Sequence, residues 1–289
     1  MRRVFDLASA LGAAVVAMAV PANAATAAAT AAAATAATAA APPCDKPVYL
    51  TFDTGHMGVA PLVAEVLQRE DVKVTFFLAN ERSLTGGHSL DEVWAPWWRA
   101  RAAEGHSFAS HTWDHGVWQA DLADGRIALR PTMGAQAGQR VALSAAEYCA
   151  ELKRPVARLA AMTGQAALPL FRAPGGKTSP ALLAAAQACG YSHVGWSAAG
   201  FLGDELPSDR FPNSTLLANA LRNIKPGDIL LAHLGIWSRQ DPWAPAVLSP
   251  LVQGLKARGF CFATLAQHPT LGRGAAPRVG AAKAGVKRP

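Results

Sequence analysis

The length and composition of the chain exclude two classes of protein. Its 289 residues are 51% hydrophobic and 16% charged, which is too apolar for a disordered chain and too long for a small scaffold stapled by disulfides. The net charge of +7 belongs to the ends, because residues 273–289 carry five Lys or Arg and residues 1–43 carry two Arg and one Asp. About +1 remains for residues 44–272, so the body lacks the basic surface that nucleic-acid binding requires.

The first 24 residues have the pattern of a secretory signal peptide. Two arginines at positions 2 and 3 precede an uncharged apolar run over residues 7–20, and residues 22–24 read Ala-Asn-Ala, a small-x-small cleavage site. The run is short for a membrane span, which needs roughly twenty apolar residues. We therefore expect a secreted or periplasmic protein without a transmembrane segment in its mature form. An uncleaved anchor is the alternative, because Asp6 interrupts the positive region.

Two low-complexity segments flank one predicted domain. Residues 25–43 are Ala and Thr followed by two prolines, and they offer too little apolar surface to offset the entropy of ordering, so they are interpreted as a linker. Residues 271–289, rich in Ala, Gly, Pro, Lys and Arg, are interpreted as a basic disordered tail, with an anchor to the cell wall or membrane surface as the alternative. The folded domain then spans residues 44–270, and we expect a monomer.

Short β-rich runs alternate with longer helix-forming runs along this domain. The predicted strands are 48–52, 72–78, 107–110, 168–171, 193–196, 229–232 and 260–264, and the predicted helices are 59–69, 91–103, 144–162, 179–189, 214–223 and 244–258. Such alternation predicts a parallel sheet with right-handed crossovers, closed or nearly closed into a barrel, with an open doubly wound sheet as the alternative. Residues 116–140 break the rhythm and are predicted to form an insertion loop at one end.

Four cysteines in a chain that we expect to be exported suggest two disulfides. Cys44 precedes the first predicted strand and Cys261 lies in the last, so this pair forms naturally if those strands are neighbours. Cys149 and Cys189 lie in two predicted helices. We favour pairing within these two sets among the three possible connectivities, and four separate buried thiols remain the alternative.

Polar side chains follow the ends of several predicted strands. In a parallel barrel the loops at the carboxyl ends of the strands build the active site. The residues at these ends are Asp53, Thr54, His56, Asn80, His111, His115, Arg172, Trp196 and His233. His111, His115 and His233, together with Asp53 and Arg172, stand in a single register, which predicts a hydrolytic site rather than isolated structural groups.

His111 and His115 are the candidate metal ligands. On a helical turn this spacing places both imidazoles on one face, within reach of one cation. Neutral imidazole suits zinc, cobalt or nickel, and a carboxylate usually completes the set. Asp53 is better placed as a base beside the metal, with Arg172 holding it ionised and oriented. His233 is the candidate proton donor to the leaving group.

Four short motifs follow one another along the domain: TFDTG at 51–55, SHTWDH at 110–115, RAPGG at 172–176 and LAH at 231–233. Their order and spacing resemble those of the polysaccharide deacetylases, the NodB homology domain of carbohydrate esterase family 4. The resemblance implies an α/β fold, a distorted (β/α) barrel of about seven parallel strands, and a divalent metal, usually zinc. It also implies hydrolysis of N-acetyl groups from amino sugars or of O-acetyl groups from xylan.

The resemblance assigns a role to five residues. They are the metal ligands His111 and His115, the catalytic base Asp53, the base-orienting Arg172 and the catalytic acid His233. The family also has an acid and a Trp that tune the catalytic His, and here the nearest counterparts, Trp196 and Asp204, are poorly spaced.

The chain departs from the family pattern at Thr54. The family has two adjacent acids here, the first acting as base and the second as metal ligand, and this chain keeps only Asp53. Three outcomes are open: a metal held by two His and a water bridged by Thr54, a metal held with His56 as a third nitrogen ligand, or a site without metal or chemistry. Because Asp53, Arg172 and His233 are all present, we expect activity to be retained.

Four residues near these motifs are candidates for substrate contact. Trp113 and Trp237 offer apolar platforms for a sugar ring, and Pro174 with Gly175 forms a tight turn that suits a site. The expected function is metal-dependent removal of N- or O-acetyl groups from an extracytoplasmic glycan, such as peptidoglycan, a chitin-like polymer or an exopolysaccharide. The alternatives are a hydrolase of a small amide or imide on the same scaffold, and a carbohydrate-binding protein without catalysis.

Overall fold

A parallel β-sheet forms the centre of the domain in the computed structural model, which describes residues 44–272. The strands of the chain are β1 Pro47–Asp53, β2 Thr75–Leu78, β3 Ser107–Ser110, β4 Gly116–Asp121, β5 Ile127–Pro131, β6 Val141–Leu143, β7 Leu170–Phe171, β8 Ser192–His193, β9 Ile229–His233 and β10 Cys261–Phe262. The predicted signal peptide, the linker and all but two residues of the predicted tail lie outside the described residues.

Seven of these strands form one sheet that curls toward closure. Its order is β10-β1-β2-β3-β7-β8, and β9 also pairs with β1, every pair being parallel. The segment after β8 then reaches β9, because the Ser197 N–H donates to the Ile229 carbonyl at 3.0 Å and Phe201 bridges Leu231 in parallel. The prediction of a distorted (β/α) barrel is confirmed, and the open-sheet alternative is wrong.

Six α-helices cover this sheet. They are α1 Ala60–Arg69, α2 Ala95–Ala103, α3 Ala145–Thr163, α4 Pro180–Ala188, α5 Asn213–Asn223 and α6 Leu248–Ala257. Local sequence explains several boundaries: Ser144 and Glu147 form a capping box at the start of α3, and Gly164 ends that helix with a φ of 74°. Among the described residues, no helix combines the length and hydropathy that crossing a membrane would need.

Residues 116–143 form a three-stranded antiparallel sheet, so the prediction of an irregular loop there was wrong. Strands β4 and β5 are joined by a turn at Asp124 and Gly125, where Gly125 has a φ of 81°. An Asp-Gly pair is a sequence signal for a β-hairpin, and it would have predicted one here. Ile127 and Leu129 of β5 are buried against Tyr148 of α3, which fixes the small sheet to the domain.

The four cysteines form two pairs in the structure. Cys44, just before β1, is paired with Cys261 of β10, with 6.1 Å between their Cα atoms. Cys149 is paired with Cys189, with 6.0 Å between their Cα atoms, and joins α3 to the end of α4. This is the connectivity that the sequence analysis favours.

A buried histidine outside the barrel mouth is expected to make folding sensitive to acid. His106 is 1% exposed, and its Nδ1 accepts the Val74 N–H at 3.0 Å while its Nε2 lies 3.2 Å from Glu104. Burial lowers the pKa of His106 from 6.5 to about 4 in spite of the Glu104 carboxylate. The unfolded chain therefore binds this proton first, so the stability contributed by neutral His106 is full above pH 6.5 and is lost as the pH falls toward 4.

We expect His106→Asn to be less stable than the parent at pH 7 and to lose less stability on acidification. Between pH 6.5 and pH 4, the unfolding free energy of the parent should fall by about 3 kcal/mol more than that of His106→Asn. Urea unfolding at a series of pH values measures this difference, and His88→Asn, at a half-buried histidine, is the matched control. Equal pH dependence in the parent and His106→Asn would contradict the assignment.

Candidate active site

The carboxyl ends of the barrel strands converge on a cavity of about 190 Å³. Its lining is unusually rich in ionisable groups for a space of this size. The polar and aromatic side chains that line it are Asp53, Glu81, His111, His115, Trp196, Glu205 and His233. Four of the sequence-predicted site residues, Asp53, His111, His115 and His233, thus meet in one place.

Asp53 is held as an ionised carboxylate by Arg172. Asp53 is the last residue of β1, and Arg172 follows β7; both are buried. The Arg172 Nη1 donates to the Asp53 Oδ1 at 2.7 Å, while its other nitrogens donate to the Val194 and Gly195 carbonyls. Burial raises the pKa of Asp53, but Arg172 and the nearby histidines outweigh it and hold the pKa below its usual range. Asp53 is therefore a fixed proton acceptor.

His111 and His115 lie side by side with their δ-nitrogens occupied. Their ring centroids are 4.9 Å apart; the His111 Nδ1 lies 2.9 Å from the Arg172 carbonyl and the His115 Nδ1 lies 2.8 Å from the Thr132 hydroxyl. The pair does not sit on a helical turn as predicted, because Thr112 and His115 have φ of 64° and 49° and bend the chain sharply. Burial lowers the pKa of His111 to about 4. The His111 Nε2 lies 3.4 Å from the Asp53 Oδ2, and the His115 Nε2 has no hydrogen-bond partner among residues 44–272.

Contact with the Asp204 carboxylate stabilises the protonated form of His233. His233 ends β9, where its backbone N–H donates to the Asp204 Oδ2 at 2.6 Å and its Nδ1 lies 3.1 Å from Oδ1. Burial lowers the pKa of His233, but Asp204, Asp53 and Glu205 outweigh it and raise the pKa to about 9. An imidazolium thus stands across the cavity from the ionised Asp53. Asp204 contacts His233 as the family's tuning acid would, although its spacing in the sequence fits the family pattern poorly.

Comparison with known proteins now decides the family. Residues 40–194, more than half of the chain, match the family model described as polysaccharide deacetylase. The chain belongs to the polysaccharide deacetylase family. The family and a relative named as a chitooligosaccharide deacetylase make this chain a hydrolase that acts on carbon–nitrogen bonds other than peptide bonds.

Individual relatives agree with this assignment. A chitooligosaccharide deacetylase of Azorhizobium caulinodans is 28% identical over 230 residues, which cover 75% of this chain and 92% of that protein. A family 4 acetyl xylan esterase from Clostridium thermocellum, in complex with a cobalt ion, superposes with a TM-score of 0.58 at 22% identity, over 77% of this chain and 89% of that one. A peptidoglycan N-acetylglucosamine deacetylase superposes with a TM-score of 0.56 at 24% identity, over 78% and 89% of the two chains. The two structures share the fold.

Asp204→Asn is expected to lower the pKa of His233 in this deacetylase. The change removes the charge that does most to raise the pKa above that of free imidazole, while the Asn oxygen can still accept a hydrogen bond. The basic limb of the pH–activity profile should then move to lower pH. The titration of His233 by proton NMR checks the same shift without depending on turnover, and Asp209→Asn, at a surface acid, is the control. An unmoved His233 titration would contradict the role of Asp204.

Thr54 does not line the cavity, but it contacts Glu81, a cavity residue that the sequence analysis did not identify. The Thr54 hydroxyl donates to the Glu81 Oε2 at 2.5 Å and accepts the Ala79 N–H at 3.2 Å, and the Gly55 N–H donates to the same Oε2 at 2.5 Å. Burial raises the pKa of Glu81, but the two imidazoles and these hydrogen bonds outweigh it and lower the pKa. Asn80 was noted as the polar residue after the second strand, but the group that reaches the cavity is Glu81.

His56 is not brought to the two metal-type imidazoles. Its Nδ1 accepts the Gly58 N–H at 3.0 Å, and its ring lies edge-on against Trp237 with 5.0 Å between centroids. It lines a neighbouring cavity of about 270 Å³ and is absent from the lining that contains His111. The proposal of His56 as a third ligand is therefore wrong, because the turn at Gly55, with φ of 64°, directs the chain toward residues 233–235.

The four candidate substrate contacts fall in different environments. Trp113 packs against the core and under the Arg154 guanidinium, 4.0 Å from the ring centroid, and it does not line the cavity. It is therefore a packing residue rather than a platform. Trp237 is 57% exposed beside His56. Pro174 is buried, and Gly175, with φ of 63°, contributes to the cavity wall.

The donor set of the cavity suits the divalent metal that the family uses. Within residues 44–272, no group of three or more His, Cys, Asp or Glu side chains is already arranged to hold a metal ion. His111 and His115, whose δ-nitrogens are occupied, nonetheless line the same cavity as the Glu81 carboxylate. Nitrogen and oxygen donors of this kind are those that zinc and cobalt prefer. The side chains in this wall therefore have the donor chemistry of a divalent-metal site.

Proposed function

We propose that the chain is a metal-dependent deacetylase that removes acetyl groups from an extracytoplasmic glycan. One observation carries the proposal: a buried, ionised Asp53 and a protonated His233 face the same cavity as the imidazoles of His111 and His115. Two groups whose environments push their pKa values in opposite directions are the arrangement that general base and general acid require.

The chain's own residues perform the proton transfers. Asp53 accepts a proton from the attacking water, and Arg172 keeps the carboxylate ionised and aimed through the Nη1 contact of 2.7 Å. His233 donates its proton to the departing nitrogen or oxygen of the sugar, and Asp204 stabilises the charged imidazolium until that step. A divalent cation bound at His111 and His115 would supply Lewis-acid polarisation of the acetyl carbonyl. Zinc is the expected metal, and the cobalt-bound esterase relative is consistent with that ligand chemistry.

Substrate and location belong to the same proposal. The relative named as a chitooligosaccharide deacetylase supports N-acetylated amino sugars as the substrate class, with peptidoglycan, chitin-like and exopolysaccharide glycans as the natural sources. The predicted signal peptide supports a secreted or periplasmic location. A hydrolase of small amides would be expected in the cytoplasm, where such compounds are metabolised.

The test combines metal content with acetate release on the same samples. We expect purified protein to contain about one equivalent of zinc, and to release acetate from acetylated chitooligosaccharides until a chelator removes the metal. Activity should return when zinc is added back. Absence of both metal and acetate release, with zinc supplied, would favour a carbohydrate-binding protein; release only from small amides would favour the second alternative.

A further inference from the structure

The acid missing from position 54 has a counterpart in the loop after β2. We propose that Glu81 supplies the metal-binding carboxylate that this chain lacks at Thr54, so that the ligand set is His111, His115 and Glu81. The inference rests on the proposed function, because it names a ligand of the metal that function requires. In sequence the two positions are 27 residues apart.

One oxygen of Glu81 is anchored and the other is free. Oε2 accepts hydrogen bonds from the Thr54 hydroxyl and the Gly55 N–H, both at 2.5 Å. No donor in residues 44–272 contacts Oε1. The backbone of Glu81 is also fixed, since its N–H donates to the Ser89 hydroxyl at 3.1 Å and its carbonyl accepts the Ser89 N–H at 2.7 Å. The carboxylate is thus held in place with one oxygen available for a ligand.

Charge pairing separates Glu81 from the other two acids of the cavity. Asp53 is paired with Arg172 at 2.7 Å, and Glu205, whose side chain is 45% exposed, lies 3.9 Å from His233. Glu81 is 9% exposed and makes no ion pair among the described residues. Buried carboxylates are paired with a cation or bind a metal. The imidazoles of His111 and His115 line the same cavity, and the His115 Nε2 has no hydrogen-bond partner among the described residues, which favours a metal.

Thr54 is then a positioning residue rather than a weak ligand. A second acid at this position would place two carboxylates against each other, since the Thr54 hydroxyl lies 2.5 Å from Glu81. A hydroxyl can instead donate to Glu81 while it accepts the Ala79 N–H. The metal-binding carboxylate of this chain therefore comes from the loop that follows β2, not from the position directly after β1.

Zinc affinity measured by calorimetry on the full, metal-stripped protein tests this ligand assignment directly. We expect Glu81→Gln, which preserves shape, to bind zinc at least about tenfold more weakly than the parent. Glu205→Gln removes a carboxylate from the same cavity and is the matched control, expected to change affinity less than about twofold. Adding Thr54→Asp to Glu81→Gln should restore most of the zinc affinity, because it supplies a new carboxylate next to the one that was removed.

Two further readouts keep the outcomes distinct. Thermal unfolding of the metal-free variants shows whether each remains folded, and the visible spectrum of the cobalt-loaded protein should change in Glu81→Gln because a carboxylate ligand is lost. Unchanged zinc affinity and cobalt spectrum in a folded Glu81→Gln variant would overturn the ligand assignment. Parent protein that binds zinc through Glu81 but releases no acetate would instead overturn the proposed function, and parent protein that binds no zinc would overturn both.

Discussion

Replacing Asp53 by Asn is expected to reduce acetate release by at least about a hundredfold while zinc remains bound. The carboxylate lies 2.7 Å from Arg172 and 3.4 Å from the His111 Nε2, and its ion pair with Arg172 favours the role of base beside the proposed metal ligands. The amide cannot accept the proton of the attacking water, although its oxygen can still accept the Arg172 hydrogen bond. Kinetics and elemental analysis on the same preparation measure the two effects.

His111→Ala provides the contrast to this variant. It removes an ε-nitrogen from the proposed ligand set, so metal retention and acetate release should fall together. Asp71→Asn, at a surface acid whose side chain is 89% exposed, controls for charge removal in general. Acetate release that survives in both Asp53→Asn and His111→Ala would contradict the assignment of base and ligand alike.

Removing Arg172 is expected to produce the largest loss of stability. Arg172 is fully buried, donates to Asp53 and to two backbone carbonyls, and lies over the Phe77 ring with 4.1 Å to its centroid. Arg172→Met preserves much of the volume but leaves the Asp53 carboxylate buried without a partner. Breaking a buried pair in this way costs about 3–5 kcal/mol, which urea unfolding at pH 7 would measure.

The pairing explanation makes a second demand on this variant. Arg172→Met combined with Asp53→Asn should be more stable than Arg172→Met alone, because the stranded charge has been removed. Arg69→Met, at an exposed arginine beside Glu70, should change the free energy of unfolding by less than about 1 kcal/mol. A double variant no more stable than Arg172→Met would show that packing, rather than charge pairing, sets the cost.

The sequence predicted the barrel well because its strand and helix patterns are local. Alternation of apolar runs with capped helices follows from short-range periodicity, and α3 begins at the predicted Ser144 capping box. The insertion at 116–140 was misjudged because its main local signal was a single Asp-Gly pair, at positions 124 and 125, in the turn between β4 and β5. The two His of SHTWDH were identified correctly as neighbours, although an irregular turn rather than a helix brings them together.

What the sequence by itself determined is the set of strand-end residues that the structure brings together: Asp53, His111, His115, Arg172 and His233. It could do so because parallel strands place their carboxyl ends at one edge, so that order along the chain implies proximity. Only the tertiary structure decided which partners complete them. Asp204 meets His233 across 29 residues and Glu81 meets Thr54 across 27, through loops whose paths depend on long-range packing. Side chains contributed by such loops have no fixed spacing in the sequence. The missing acid at Thr54 was therefore visible in the motif, but the proposed substitute, Glu81, was not.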